Sequence, residues 1–314
     1  MIDFRYHLVS IISIFLALAV GIVLGAGPLQ QNLGTQLADQ VSTLRTEKQQ
    51  LNDELNITKK QVAAGDDYAT AVGSRVVTGR LVGHAVVLIE MPTAESQLAD
   101  TVEAALRASG AKVNATLRLT DDWFDPTKAT ERETAATAAA TALGLSSTAT
   151  GDLLLQEVLT KILTASGAPE AAESRTAALK VLTTAKLLTA PQEQVTPGDL
   201  AVIASGDFSG SQDLVDARAR SVRSLARLLA QSSRATVVAG GAPVTAIGQP
   251  VTSDAVSAIR EDSTTNELIS TIDHAGQGPG PAIVVLALES ALRGTVGHYG
   301  VADGATAVVP KVTS

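Results

Sequence analysis

The sequence predicts an α/β protein tied to a membrane: an N-terminal transmembrane helix and a coiled coil, followed by a mostly parallel-sheet α/β domain with a helical insertion. Three observations carry this expectation. No charged residue occurs from Leu8 to Ala26. Apolar residues then recur at alternating spacings of four and three from Leu37 to Val62. Further on, short apolar runs such as AVVLIE and DLAVIAS alternate with amphipathic stretches, the pattern of parallel strands joined by crossover helices.

The first element is LVSIISIFLALAVGIVLGA. At ~1.5 Å per residue, about twenty apolar residues match the ~30 Å hydrocarbon core of a bilayer, so residues 1–28 read as a membrane anchor. A cleaved signal peptide is the rival. The leader MIDFRYH holds Asp3 beside Arg5, and Leu24 stands where a cut after Ala26 would want a small residue. The apolar run also exceeds the ~7–15 residues of a signal core. Ser13, Ala17, Gly21 and Gly25 recur every four residues; small side chains on one stripe, ending in a G-x-x-x-G, let two helix backbones approach closely in lipid. Arg5 precedes the span and no Lys or Arg follows it until Arg45, which places the remainder outside the cytoplasm. The expected location is therefore the cell membrane, crossed once, with an extracytoplasmic C-terminal domain.

Residues 29–64 carry the coiled-coil signature. Leu37, Val41, Leu44, Leu51, Leu55 and Val62 form a narrow seam, with Lys48 and Thr58 at the two lapses. A repeat averaging 3.5 residues with polar residues elsewhere marks helices that wind around each other, and Lys at a core position selects one register or oligomer state. The expectation is a homodimer or higher homo-oligomer; the alternative is one amphipathic helix lying on its own domain. Residues 65–80, beginning GDDYATAVGSR, lose the heptad and read as a linker.

The α/β domain spans 81–314. AVVLIE (Ala85–Glu90), an amphipathic helix over Leu98, Val102, Ala105 and Leu106, and KVNATLRL form a strand, helix, strand unit. From about 121 to 192 the sequence turns Ala-, Leu- and Thr-rich, and three helices are expected in ERETAATAAATALGL, GDLLLQEVLTKILTAS and AAESRTAALKVLTTAKLL. The sheet resumes with DLAVIAS (Asp199–Ser205), a helix about Leu214–Leu229 with Arg on its wet face, and TVVAGG (Thr236–Gly241). ELISTIDHA reads as a strand, PAIVVLALESALRG as a helix, and TAVVP (Thr306–Pro310) as the last strand.

Composition narrows the chemistry. A net charge of −8 and 3 % aromatic content argue against a nucleic-acid surface. With no cysteine, disulfides and thiolate metal sites are excluded. The thioethers of Met1 and Met91 are the only soft ligands, and His7, His84, His274 and His298 are scattered; His298 beside Tyr299 and His274 beside Asp273 are the pairs to inspect. The G-x-S-x-G elbow, the H-E-x-x-H helix and the phosphate-binding loop are all missing from the sequence. Ligands of open parallel sheets bind at the carboxyl ends of strands, so SGDFSGS, AGGAP and MPTAES are the candidate ligand or partner loops, with Glu90, Asp207, Gly240, Gly241 and His298 as the residues to watch. Glu90 and Asp207 would suit acid/base work if buried together, whereas turn formation and helix capping are the simpler roles. Neither a catalytic centre nor a cofactor is expected. A lone span does not enclose a water-filled channel.

The block MIDFRYHLVSIISIFLALAVGIVLGAGPL, the heptads after it and the later GTVGHYG resemble the actinobacterial family named for a mycobacterial copper transport protein, MctB. The likeness runs over essentially the whole length, and the Ala-rich composition suits a high-GC actinobacterium. It implies a part in copper efflux or homeostasis, with an outer-membrane location possible by analogy. A family relative is tied to envelope assembly and division together with a membrane partner, which implies an alternative role as a non-catalytic scaffold. Copper enters the reading through this resemblance alone, and the family carries no ligand residue onto a position here.

Overall fold

The computed structural model describes residues 4–26, 28–165, 171–241 and 253–311. It divides into two compact units, 1–64 and 65–314. In the first, α1 (Phe4–Ala26) contains an apolar stretch, Phe4–Gly25, long enough to cross a membrane. Ser13 donates its hydroxyl to the Val9 carbonyl at 2.8 Å, which satisfies the one polar group of the small-residue stripe within the helix itself. A Cβ added at Gly21 or Gly25 would meet nothing, so that stripe is open in the single chain. Met1–Asp3 and Gly27 lie outside the described residues.

The second helix, α2 (Pro28–Val77), is continuous, which corrects the expected linker: residues 65–77 are helical, and only 78–83 turn the chain. Glycine in a helix costs about 1 kcal/mol relative to alanine, and here packing offsets it. A Cβ on Gly73 would stand 3.4 Å from that of Ala282, and Val77 is fully buried.

The rest is a seven-stranded sheet in the order β3-β2-β1-β4-β5-β6-β7. The strands are β1 (Ala85–Glu90), β2 (Lys112–Leu119), β3 (Leu188–Thr189), β4 (Leu200–Ser205), β5 (Ala235–Gly240), β6 (Ser270–Ile272) and β7 (His298–Tyr299). All neighbours pair in parallel except β2 with β3. Every residue of β4 and β5 is buried, as strands covered on both faces must be, and this explains their unbroken apolar sequence.

Odd and even residues of β1 enter different cores. Val87 and Ile89 pack with α7 (Gln212–Ser232), α8 (Ala255–Arg260) and the helical insertion, formed by α4 (Ala129–Leu143), α5 (Gly151–Leu163) and α6 (Ala172–Thr184). Val86 and Leu88 pack with α3 (Leu98–Ala108), α9 (Gly280–Leu292) and Val77. The insertion helices fall where the sequence places them, with one correction. The stretch expected to be helical through Leu188 stops at Thr184, because Lys186 turns at φ 59° and Leu188–Thr189 then pairs with β2.

The carboxyl end also differs from expectation. Thr306–Pro310 is not a strand; Thr306 and Ala307 bond to β7, with Ala307 bridged to Tyr299, while Val308 and Val309 are exposed. His298–Tyr299 takes the edge position instead. Gly300, at φ 135°, then turns the chain sharply, a conformation only glycine adopts readily.

Candidate functional site

Strand order reverses between β1 and β4, and that crevice is where an open α/β sheet offers a ligand site. The loops after these strands fill it. Met91 donates its amide to the Ala204 carbonyl at 2.8 Å, and the Thr93 hydroxyl donates to the Gly206 carbonyl at 3.3 Å. A Cβ on Gly206 would collide with the Thr93 carbonyl oxygen. What remains nearby is a void of about 10 Å³ bordered by Asp207, Gly240, Gly241, Asp254 and Asp273, room for about one water.

The residues singled out from sequence fall into separate roles. Glu90 is buried at the end of β1 and paired with Arg118 of β2 at 2.5 Å. Asp207 forms a backbone bridge with Asp254, whose side chain caps α8 by accepting from the Ser257 amide at 2.7 Å. Glu90 thus has its own cationic partner on β2, while Asp207 borders the void at the ends of β4 and β5. Gly240 admits α8 closely, a Cβ there lying 2.8 Å from the Val256 methyl, and Gly241 faces the Glu95 carboxylate. The AGGAP loop beyond Gly241 lies outside the described residues.

The two histidine pairs meet in one network. Asp273, just after β6, accepts from Arg260 Nη1 at 3.0 Å, from the Val301 and Ala302 amides at 3.0 Å each, and from His274 Nδ1 at 3.2 Å. Arg260 also donates to Thr271 Oγ1 at 2.9 Å and to the Tyr299 carbonyl at 3.0 Å, and Thr271 Oγ1 lies 2.9 Å from His298 Nδ1. Burial pushes the Asp273 carboxyl up, but the donors from His274, Val301, Ala302 and Arg260 outweigh it and hold the group well below the usual carboxylate range. Burial, then the Arg260 charge, depress the His298 imidazole despite an opposing hydrogen bond with the backbone of Asn266, so it is held neutral. A Cβ on Gly300 would collide with the Asp273 carboxylate, which is why glycine closes this corner. Arg260 and Gly300 escaped the sequence reading. The G-H-Y-G run with Asp273-His274 was the available signal, whereas Arg260 stands ten residues before β6 and reaches it only in the fold.

This arrangement locks the β6–β7 edge and binds α8 to it. Among the described residues, no group of three or more His, Cys, Asp or Glu side chains is placed to hold a metal ion. His84 is engaged elsewhere, 2.6 Å from Asp199.

Along α2 the apolar seam faces outward. Leu44 and Leu51 are 63 % and 64 % exposed, and Leu37, Val41, Leu55 and Val62 are exposed as well. Thr58 ties its hydroxyl back to the Glu54 carbonyl at 2.9 Å, leaving its methyl for the seam.

Comparison with known proteins gives one answer over the whole chain. The family described as copper transport outer membrane protein, MctB, matches residues 1–310. Proteins named copper transporter MctB from Mycobacterium bovis and Mycobacterium tuberculosis are 29 % identical over 98 % of this chain and 99 % of their own length. The protein of that name from Mycobacterium leprae is 28 % identical over 99 % of this chain and its own full length. From its N-terminal apolar helix to the edge of its sheet, the chain belongs to the MctB family.

Proposed function

We propose that this chain is a membrane-anchored, dimeric envelope protein that takes part in copper export as an assembly component, with the metal crossing elsewhere than through its own single span. The observation that carries this reading is the pair of open faces on α1 and α2: a small-residue stripe and an apolar seam that a second parallel copy would cover. Family membership supplies copper, and Arg5 before the span supports an extracytoplasmic sheet domain. Deleting the gene should raise cellular copper and lower tolerance, with rescue by the wild type but not by Leu44→Asp/Leu51→Asp. Unchanged copper accumulation and tolerance in the deletion strain would remove the reading.

A second role, as a non-catalytic scaffold for a membrane or periplasmic partner in wall assembly or division, is favoured by the packed crevice between β1 and β4. Purification of the intact protein in mild detergent, with identification of co-purifying envelope proteins and of metal by mass spectrometry, separates the two.

A further inference from the structure

Because α2 is unbroken through Val77, heptad positions assigned on the seam continue into the part of the helix that belongs to the sheet domain. With Val41, Lys48, Leu55 and Val62 at a and Leu37, Leu44 and Leu51 at d, the next core positions are Gly65, Ala69, Val72 and Val76. The flanking positions are informative. Parallel two-stranded coils bring a g residue beside the e residue five positions on in the partner. Here that sets Gln40 against Arg45, Glu47 against Asn52 and Glu54 against Lys59, with no like charges opposed. The next two pairs are Gln61 with Asp66, and Tyr68 with Gly73.

Tyr68 is 71 % exposed, a large aromatic side chain with no cover in its own chain. Gly73 lines the floor of a cavity of about 260 Å³ between the end of α2, α3 and the start of α9, bordered also by Ala69, Thr101, Ala104, Ala105 and Pro281. The cavity exists because small residues meet there. The same register therefore supplies an unburied aromatic ring and, at the matching position, a void without a side chain.

We infer that in the dimer Tyr68 of each copy inserts into the cavity over Gly73 of the other, joining the coiled coil to the partner's sheet domain. This rests on the dimer reading above and names its contact. An interface closed by a two-fold axis uses each such contact twice, and tyrosine buried at an interface centre is among the side chains whose truncation costs most.

The test uses the full-length chain in detergent micelles, with a benzophenone amino acid at position 68 and a mixture of isotopically light and heavy protein. The expected result is a light–heavy crosslink from position 68 to the peptide containing residues 101–108. Tyr68→Ala should raise the dimer dissociation constant about tenfold or more, and Ala104→Trp, which fills the cavity from the exposed face of α3, should do the same while the folded signal is retained. A dimer that is lost in Leu44→Asp/Leu51→Asp, but gives no crosslink to 101–108 and is indifferent to Ala104→Trp, overturns the Tyr68 contact and leaves the dimer standing. A wild-type chain that is monomeric, and indistinguishable from Leu44→Asp/Leu51→Asp, overturns both.

Discussion

Replacing Arg260 by Met tests how the β6–β7 edge is held. Both charged side chains of the Arg260–Asp273 pair are 4 % exposed, and removing one partner of a buried pair costs about 3–5 kcal/mol because the other charge is left without compensation. Asp273 would keep the Val301 and Ala302 amides and His274, which places the loss near the lower end, about 3 kcal/mol. Arg260 also gives up its bonds to Thr271, Tyr299 and Asp303. For a domain of this size each kcal/mol moves the unfolding midpoint by about 2–4 °C, so a fall of about 6–12 °C is expected. Trp123, the sole tryptophan and buried in the core, reports unfolding of the intact protein in detergent by fluorescence. Adding Asp273→Leu should restore part of the loss, since the orphaned charge is then gone. A single-variant shift below about 2 °C would show that the pair is effectively solvated and that the edge is held by its backbone bonds.

The same network sets a pH response. The folded Asp273 carboxyl titrates below its ordinary value of about 3.9, so its contribution is complete above that value and is lost as pH falls through the depressed folded value. The stability gap between wild type and Asp273→Asn should therefore be constant above about pH 5 and close on acidification below about pH 4. His298 is depressed from about 6.5; the unfolded chain takes up its proton first, stability falls as pH drops below about 6.5, and His298→Gln should flatten that segment of the profile measured by urea unfolding. Gly300→Ala should destabilise the fold by about 3 kcal/mol or more, from positive φ and collision with Asp273 together, seen as a lower midpoint in the same thermal scans. Leu44→Asp/Leu51→Asp should halve the mass of the detergent-solubilised protein in sedimentation without altering Trp123 fluorescence; an unchanged mass would show that the seam pairs with nothing.

Much of the architecture was legible because its signals are local. AVVLIE, KVNATLRL and DLAVIAS are strands buried on one or both faces, and their apolar runs announce them within one or two residues. The three insertion helices carry their own periodicity and breakers. The misreadings came where neighbours override propensity. Gly65 and Gly73 suggested a linker, yet the helix runs on, its last turn packed beside Ala282 at Gly73 and buried at Val77. TAVVP has strand composition, but only Thr306 and Ala307 bond to β7, and Val308 and Val309 leave it exposed. Glu90 and Asp207 suit acid/base work only if buried together; in the fold Arg118 pairs with the first, and the second bridges to Asp254.

By itself the sequence determined the apolar span, the heptad seam, the α/β class and the family, because hydrophobic length and period act along a single segment and survive without knowledge of what they touch. The tertiary structure alone decided that residues 65–77 are helical, that the described loops after β1 and β4 bond to each other across the crevice, and that Arg260, Asp273, His274 and His298 form one network. Those outcomes depend on distances between segments far apart in the chain, set by which buried polar groups find partners and which glycines let backbones close in.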